Sequence, residues 1–294
     1  MYNRKRRQHK LEKLEHYEQS KKETAKNESK LSGPQQLRTK QKTPRDINID
    51  ISTLNLIPQK IESESVEIPQ NNLMEAGIIP SHPFSGLFVG MSGSGKTNSM
   101  IYIMNNYYKN YFDEILVMGQ TVKTDKMYDH LEGLEDERLY TKDLVGEARR
   151  LLDEIKDECE KEGVVNAPRR LIIIEDATSQ RKLIQSPSFV KLFVQARHLN
   201  CSVVCNVHKL RAVARAARIN AVALFIFKPV RSDFVQIVEE YCPPSVKKDD
   251  FIELLNYSFT PTEEMVKPFL YFNRNAKDGE RFKKGFSEIL RIQT

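Results

Sequence analysis

The chain has 294 residues, of which 39% are hydrophobic and 29% charged, and its formal net charge at pH 7 is +6. Residues 1–50 hold 14 Lys and Arg against 7 Asp and Glu, which leaves 32 against 33 for the rest of the chain. The basic character therefore belongs to an N-terminal arm, and this excludes a uniformly basic nucleic-acid coat. No apolar run approaches the roughly 20 residues of a membrane helix, so we expect no membrane span.

The four cysteines are too few for a disulfide framework at this length and are typical of a reducing compartment. Cys201, Cys205 and His208 have a spacing that superficially resembles a metal site. They fall in an apolar run typical of a buried strand, where the two cysteines share a face. Because no second group of ligands accompanies them, a zinc site is not the favoured interpretation.

The chain divides by composition into three parts. Residues 1–48 are rich in Lys, Gln, Glu and Ser and carry too few apolar side chains to offset the entropy of ordering, which predicts a disordered or weakly helical basic arm. Residues 49–80 alternate short apolar pieces with prolines and form a lead-in segment. Residues 81–294 are predicted to form the folded domain. The start of the chain is basic without a following apolar stretch, so no secretory signal is expected.

The folded part alternates short apolar runs with longer amphipathic stretches. In chain order, the pattern predicts a strand at 86–90, a helix at 97–109, a strand at 114–118, a helix at 143–162, a strand at 171–174, a helix at 187–199, and strands at 201–207, 223–227 and 269–272. A short helix is predicted near 285–290. Apolar strands separated by helices favour an α/β fold, with a mostly parallel sheet covered by helices on both faces.

A phosphate-binding loop is the strongest motif of the chain. Residues 90–97 are GMSGSGKT and match G-x-x-x-x-G-K-[ST] in full, after a strand and before a helix. Such a loop points its N–H groups at phosphate oxygens, at a helix N-terminus. Lys96 would reach the β and γ phosphates, and the Thr97 hydroxyl would ligate Mg²⁺. The motif thus predicts binding of ATP and Mg²⁺ by Gly90, Met91, Ser92, Gly93, Ser94, Gly95, Lys96, Thr97 and Asn98.

A Walker B pattern ends the third predicted strand, where the apolar run 171–174 is followed by Glu175 and Asp176. A buried strand delivers such carboxylates to the carboxyl edge of the sheet, where α/β proteins bind their ligands. By position, Glu175 takes the metal role and Asp176 polarises the attacking water. The usual order is Asp then Glu, so the reversal leaves open which acid does which. The alternative is an ordinary solvated strand end.

The order of the motifs indicates a particular branch of P-loop NTPase. One predicted strand, at 114–118, lies between the phosphate-loop strand and the Walker B strand. This order suggests the inserted-strand, RecA/FtsK-like branch, whose members are typically ATPases. A GTPase would need an Asn-Lys-x-Asp motif to recognise its base, whereas residues 206–209 are NVHK.

Three segments together carry a family resemblance: GMSGSGKTN at 90–98, QARHLNCSVVCNVH at 195–208 and ARIN at 217–220. In this order they resemble the genome-packaging ATPases of large double-stranded DNA viruses, the poxvirus-type members of the FtsK–HerA superfamily that also occur in virophages and polinton-like elements. The resemblance covers about residues 80–245. It implies a homo-oligomeric ring that hydrolyses ATP to drive double-stranded DNA into a capsid, with a capsid or portal-vertex protein as partner. The implied location is a viral assembly site in the host cytoplasm or nucleus, with the virion as an alternative.

The resemblance also implies roles for individual residues. The family usually has Gln as a sensor at the end of the fourth strand, where this sequence has His208; a neutral imidazole can also donate a hydrogen bond, although the residue could equally satisfy a backbone group. Ring ATPases need a cation from the neighbouring subunit, and Arg197 and Arg218 are the candidates, with surface or salt-bridge roles as alternatives. The implied catalytic set is Lys96, Glu175, Asp176, His208, Arg197 and Arg218.

Two basic clusters have open assignments. Lys209, Arg211, Arg215 and Arg218 follow the sensor strand and would either line a DNA channel or form a solvated helix face. Residues 4–7, RKRR, are a nuclear address, a DNA-contacting or capsid-contacting arm, or a solvated tail.

The function that these features favour is an ATP-driven motor on double-stranded DNA that packages a viral genome. A nucleotide-binding scaffold with lost or weak turnover is an alternative, motivated by the reversed acids and by His208. A non-packaging DNA translocase or helicase is a second. A P-loop kinase for a small acceptor is disfavoured because no Arg-rich lid is evident.

Overall fold

The computed structural model describes residues 61–65, 73–74, 77–263 and 265–292. The predicted basic arm at 1–48, its RKRR cluster and much of the lead-in segment at 49–80 lie outside the described residues.

The described residues form a mixed β-sheet with helices on both faces. Its strands are β1 (Ile61–Ser65), β2 (Ser85–Val89), β3 (Glu114–Met118), β4 (Leu134–Tyr140), β5 (Arg170–Ile174), β6 (Cys201–Val207), β7 (Ala223–Phe227), β8 (Phe269–Asn273), β9 (Phe282–Lys284) and β10 (Glu288–Ile292). The helices are α1 (Lys96–Tyr107), α2 (Leu144–Glu162), α3 (Arg181–Ile184), α4 (Pro187–Gln195), α5 (Arg215–Asn220), α6 (Arg231–Tyr241) and α7 (Lys248–Ser258).

The sheet has a parallel half and an antiparallel half. The strand order is β1-β10-β9-β8-β7-β2-β6-β5-β3-β4, and every pair from β7 to β4 is parallel. On the other side of β7, the strands β8, β9, β10 and β1 pair antiparallel. The predicted mostly parallel α/β fold is therefore confirmed. The lead-in segment adds an edge strand, because β1 pairs with β10 with Ile61 opposite Ile292.

The strand inserted between the two nucleotide-binding motifs is β6. It pairs with β2 on one side and with β5 on the other, so it separates the phosphate-loop strand from the Walker B strand. The order of the motifs predicted the 114–118 strand in that place, but that strand, β3, lies on the far side of β5. The inserted-strand branch was predicted correctly, but the strand assigned to the inserted position was wrong. The order of strands along the chain does not determine which strands are neighbours in a parallel sheet.

Hydrophobic cores lie on both faces of the sheet. On one face, α1 packs Met100, Ile103 and Met104 against the central strands. On the other face lie the apolar sides of α2, α4, α6 and α7. Successive residues of one strand alternate between these cores, as Phe88 and its neighbour Val89 do in β2. A strand buried on both faces is a continuous apolar run, which explains why the pattern revealed the parallel strands other than the exposed edge strand β4.

Several elements differ from the prediction. The helix predicted near 285–290 is wrong, since β9 and β10 form a hairpin there, turning at Gly285 with φ 61°. The helix predicted at 187–199 ends at Gln195, followed by a 3₁₀ turn. The prediction also missed β4, whose largely exposed charged side chains give no apolar run, and it missed α6 and α7. None of the described helices is long and apolar enough to cross a membrane.

Candidate active site

The phosphate loop joins the end of β2 to the start of α1 and needs glycine for two different reasons. At Gly90, an added Cβ would lie 2.8 Å from the Cβ of Phe227 and 2.9 Å from the Oγ of Ser94, so the loop has no room for a side chain. Gly95 has φ 102° and immediately precedes α1, in a region that L-residues rarely adopt. The glycines thus set the curl of the loop at the N-terminus of a 12-residue helix.

Lys96 bridges the phosphate loop through hydrogen bonds to its backbone. Its Nζ donates hydrogen bonds to the carbonyl oxygens of Gly90 (2.8 Å) and Met91 (2.9 Å) and lies 3.3 Å from Nδ1 of His208. The residue is 6% exposed. Burial lowers the pKa of Lys96, and the carboxylates of Glu175 and Asp176 oppose that shift. An ammonium is therefore placed beside the loop with two carboxylates near enough to stabilise it.

Glu175 joins the two motifs. Its Oε1 accepts a hydrogen bond from Thr97 Oγ1 at 3.0 Å. Its Oε2 accepts from the Tyr128 hydroxyl at 2.5 Å and from the Asn206 side-chain amide. Burial, and then the neighbouring carboxylate, raise the pKa of Tyr128 well above its usual value, so the phenol remains a donor. The carboxylate is fixed in orientation by donors from three separate segments.

Asp176 sits where the chain leaves β5 in an uncommon conformation, with φ 41° and ψ 45°. Aspartate tolerates this left-handed region better than most residues. Its Oδ1 lies 3.0 Å from Nε2 of His208, at an angle that does not give a hydrogen bond, and that buried oxygen has no hydrogen-bond partner in the described residues. Asp176 thus presents an unsatisfied acceptor to the site.

His208 bridges the lysine and the aspartate at the end of β6. Its Nδ1 lies 3.3 Å from the Lys96 ammonium, which can only donate, and 3.4 Å from the Gly90 carbonyl oxygen, which can only accept. A neutral ring therefore satisfies one of these contacts in each tautomer, and its Nε2 lies beside Asp176 in both. The backbone N–H of His208 donates to Thr178 Oγ1 at 2.8 Å. The ring is therefore in the site, whereas its backbone is satisfied by the segment that follows the Walker B strand.

These groups surround one cavity of about 370 Å³ at the carboxyl edge of the parallel strands. Its lining residues are Ser92, Gly93, Gly95, Lys96, Thr97, Asn98, Asp125, Met127, Glu175, Asp176, His208 and Lys267. Among the predicted nucleotide-binding residues, Gly90 and Met91 contribute carbonyl acceptors for Lys96 instead, and Ser94 lies behind the lining with a buried, unpartnered Oγ.

The side chains fit a magnesium nucleotide. Thr97 Oγ1 and Glu175 Oε1 supply neighbouring oxygen donors, the ligand type that Mg²⁺ prefers. The unsatisfied Oδ1 of Asp176 borders the same cavity. Lys96 and the N–H groups at the start of α1 provide positive charge for phosphates.

The two candidate arginines have different environments. Arg197 is exposed and lies in the 3₁₀ turn that precedes β6, at the amino edge of the sheet. Arg218 is 6% exposed, and its guanidinium donates to Glu240 (Nη2 to Oε1, 2.7 Å) and to the carbonyl of Val213. The structure therefore contradicts a role for Arg218 as a cation offered to a neighbouring subunit, because its donors are occupied inside its own chain.

The sequence pattern of the Poxvirus A32 protein family matches residues 74–267, about two thirds of the chain. The chain belongs to the Poxvirus A32 protein family. The match spans the phosphate loop, the Walker B strand and β6, and it confirms the resemblance to poxvirus-type packaging ATPases that the motifs indicated. The family supports an ATPase that binds nucleotide, and the cavity described above is the candidate site for that nucleotide. No curated protein sequence matches the chain.

Two solved structures similar to this A32 family member differ in how much of their own chain the similarity covers. The genome packaging NTPase B204 from Sulfolobus turreted icosahedral virus 2, in complex with AMP, is 12% identical over 72% of this chain and 97% of its own, with a TM-score of 0.49. EssC (ATPases 2 and 3) from Geobacillus thermodenitrificans is 8% identical over 71% of this chain and 39% of its own, with a TM-score of 0.48. The family assignment rests on the sequence match.

Five residues of the A32 family member's site were not predicted from the sequence. Asp125 and Met127 line the cavity. Tyr128 lies in a 3₁₀ turn and Asn206 is the penultimate residue of the apolar strand β6, and each donates a hydrogen bond to Glu175. Lys267 comes from the segment before β8 and donates from Nζ to the Gly93 carbonyl oxygen at 3.0 Å. Asn206 alone gave a signal: it is a polar residue at a buried strand position, where a carboxamide needs a partner.

The two cysteines of the Cys-Cys-His pattern lie in the interior of the sheet. Cys201 and Cys205 are buried within β6, and burial raises the pKa of both thiols. In the part of the chain that the structure describes, no group of three or more His, Cys, Asp and Glu side chains is placed to hold a metal ion. Cys201 and Cys205 belong to the same hydrophobic core, which confirms that they share one face of a buried strand.

Proposed function

We propose that this A32 family member is an ATP-hydrolysing motor that moves double-stranded DNA, and that its task is to package a viral genome into a capsid. The observation that carries the proposal is the meeting of both Walker motifs at one cavity, where Thr97 and Glu175 are hydrogen bonded at 3.0 Å. Asp176 and His208 complete that cavity next to Lys96. Family membership supports the viral packaging role.

Each side chain has a distinct task in hydrolysis. The loop N–H groups and Lys96 hold the phosphates and offset the charge that develops on them. Thr97 and Glu175 would hold Mg²⁺, which supplies further neutralisation of phosphoryl oxygens. Asp176, whose Oδ1 has no hydrogen-bond partner among the described residues, orients a water and accepts its proton. His208, between Lys96 and Asp176, links the phosphate-binding side of the cavity to the water-activating side.

The reversed order of the acids is compatible with turnover. Glu175 is engaged by three donors, one of which is the Thr97 hydroxyl expected at the metal. Asp176 is one residue further on, and its left-handed backbone turns it towards His208. Because the two carboxylates have different environments, one can bind the metal while the other activates the water. This supports the motor over the scaffold with lost turnover.

The proposal extends to an assembly. In a ring ATPase, a neighbouring subunit supplies a cation that stabilises the transition state of phosphoryl transfer. Arg197 remains the candidate for this cation because it is exposed and far from the cavity of its own chain. A homo-oligomeric ring around double-stranded DNA, in contact with a capsid or portal-vertex protein at the viral assembly site, follows from this role.

The first test is steady-state ATP hydrolysis by the purified protein, with and without duplex DNA, beside Lys96→Ala. We expect hydrolysis to rise with DNA and to fall by about 10²-fold or more in Lys96→Ala, because the variant loses a charge aimed at the phosphates. Lys161→Ala, at an exposed lysine in the last turn of α2, is the matched control and should behave as wild type.

The other outcomes discriminate between the alternatives. Nucleotide binding without turnover, with or without DNA, would favour the scaffold. A rate of ATP hydrolysis that duplex DNA does not change at any salt concentration would contradict a DNA motor. The assignment as an ATPase would remain.

A further inference from the structure

Two basic segments start directly at residues of the candidate active site. The first, residues 177–185, follows Asp176 and carries Arg181 and Lys182. The second, residues 209–215, follows His208 and carries Lys209, Arg211 and Arg215. All five basic side chains are exposed. Both segments leave the carboxyl edge of the sheet, since they follow the adjacent parallel strands β5 and β6.

Hydrogen bonds hold the two segments side by side. At their start, the backbone N–H of His208 donates to Thr178 Oγ1 at 2.8 Å. At their far end, the Gln185 side-chain amide donates to the Ala212 carbonyl, and the Ala214 N–H donates to the Ile184 carbonyl at 3.4 Å. Arg181 and Lys182 lie between these bonds on one segment, and Lys209 and Arg211 lie between them on the other. Arg215 follows the last bond. The five cations therefore lie on two segments whose backbones are adjacent, and we call these residues the two-segment basic surface.

Among the described residues, none of the five basic side chains forms an ion pair. Arg215 is nevertheless near enough to Glu240 for its charge to help lower the pKa of that carboxyl group. Asp233, below the second segment, is 1% exposed and accepts the Leu210 N–H. Asp143 borders the groove of Arg181 and Lys182, and its carboxylate also accepts the Gly146 N–H at the start of α2. The five cations thus outnumber these three carboxylates, Asp143, Asp233 and Glu240. Arg218 is excluded, because it is buried against Glu240.

We propose that the two-segment basic surface binds the phosphate backbone of duplex DNA. The inference rests on the proposed function and names the part of the molecule that holds the DNA. Duplex DNA carries one negative charge per roughly 1.7 Å of helix axis, so a compact group of flexible cations can meet several phosphates without reading sequence.

The same placement couples the DNA to hydrolysis. Thr178 is two residues beyond Asp176 and is hydrogen bonded to His208, so both segments are fastened to each other beside the catalytic cavity. A shift of Asp176 or His208 during turnover therefore moves the backbone that carries the cations, and phosphates held there bias the position of the same two residues. DNA bound at this surface is expected to stimulate hydrolysis for this reason.

The test uses full-length protein carrying Arg181→Gln with Lys182→Gln, Arg211→Gln with Arg215→Gln, and all four changes combined. Lys209 is left unchanged because it adjoins His208. Lys161→Gln with Lys277→Gln removes two exposed charges elsewhere and is the matched control. For each protein, we would measure binding to a 30-base-pair duplex as a function of salt, basal hydrolysis, and the stimulation of hydrolysis by that duplex.

We expect the combined variant to bind duplex about 10-fold or more weakly at moderate salt, with the salt slope reduced by about one for each phosphate that is no longer neutralised. Its stimulation by DNA should fall in parallel, while basal hydrolysis and the control variant stay at wild-type values. If the combined variant has a lowered melting temperature, the two double variants carry the test, each with a smaller loss of the same kind.

The failures are distinguishable. Wild-type protein that neither binds duplex DNA nor is stimulated by it would remove the proposed function together with this inference. If the variants are stimulated by DNA as strongly as the wild type, and their DNA binding has the same dependence on salt, the inference about this surface is wrong. The proposed function is then unaffected. Preferential binding of single-stranded RNA or of polyglutamate by the wild-type surface, abolished in the variants, would overturn DNA as its ligand.

Discussion

At the level of single residues, the two adjacent carboxylates illustrate how environment assigns roles. Glu175 is 9% exposed and accepts hydrogen bonds from Thr97, Tyr128 and Asn206. Asp176 has an unsatisfied oxygen beside His208. A carboxylate held beside the metal-binding hydroxyl is suited to metal binding, whereas one with a free acceptor is suited to taking a proton. The assignment by position in the sequence is thus retained as a proposal, now with a geometric reason.

This assignment predicts different kinetic effects for the two amide variants. Glu175→Gln should raise the Mg²⁺ concentration needed for half-maximal hydrolysis, because a neutral amide is a weaker metal ligand. Asp176→Asn should lower kcat by about 10²-fold, the lower part of the range for loss of a general base, with the Mg²⁺ dependence unchanged. Hydrolysis titrated with Mg²⁺ at saturating ATP measures both quantities. The reverse pattern would exchange the roles of the two acids.

At the level of helices and strands, Arg218 fastens α5 to α6. Its guanidinium donates to both carboxylate oxygens of Glu240, at 3.1 and 2.7 Å. Burial alone would raise the pKa of Glu240, but hydrogen bonds from Arg218 and Gln236 outweigh it and hold the pKa below its usual 4.5. The folded state therefore binds this proton less readily than the unfolded chain. The contribution of the Arg218–Glu240 pair to the free energy of unfolding is therefore present above pH 4.5. It is lost as the pH falls through the lowered pKa of Glu240.

Arg218→Ala should therefore lower the free energy of unfolding by about 2–3 kcal/mol at neutral pH, less than the ~3–5 kcal/mol for breaking a fully buried pair, because the Glu240 side chain remains 21% exposed. The loss should shrink below pH 4.5. Urea denaturation at neutral pH and at a pH well below 4.5 measures it, with Arg231→Ala, at the exposed first residue of α6, as the control. Wild-type stability in Arg218→Ala would contradict the structural role.

For the molecule as a whole, the site is incomplete in one subunit if a cation must come from elsewhere. Arg197 precedes β6 and His208 follows it, and a strand of seven residues spans about 23 Å at ~3.3 Å per residue. Arg197 therefore cannot reach the cavity of its own chain. A ring in which the amino edge of one subunit faces the carboxyl edge of the next would bring it there.

Mixing subunits tests this arrangement. Arg197→Ala and Lys96→Ala proteins should each be nearly inactive alone, while an equal mixture should regain about a quarter of wild-type hydrolysis, because random neighbours in a ring pair an intact cavity with an intact arginine that often. Hydrolysis as a function of the mixing ratio measures this. Lys191→Ala, at an exposed lysine of α4, is the control for the arginine variant. Absence of recovery from variants that do assemble together would exclude Arg197 as the shared cation.

The amino-acid sequence alone was sufficient to predict the buried parallel strands β2, β3, β5, β6 and β7, the phosphate loop and the paired acids. These are local features: a strand buried on both faces is a continuous apolar run, and a phosphate loop needs specific residue types at adjacent positions. The same local rules failed at β4, whose side chains are polar and largely exposed at the edge of the sheet, and at β9 and β10, where a turn at Gly285 replaces the predicted helix.

Three-dimensional packing was needed to establish which strand separates the two motifs, which residues orient Glu175, and which arginine is available to a neighbour. Tyr128 and Asn206 are 47 and 31 residues from Glu175 along the chain, and no local pattern relates positions so far apart. Arg197 and Arg218 are the same residue type, yet one is exposed and the other is buried in an ion pair. Burial and partners arise from non-local packing, and these determine whether a charged side chain stabilises the fold or remains free to act.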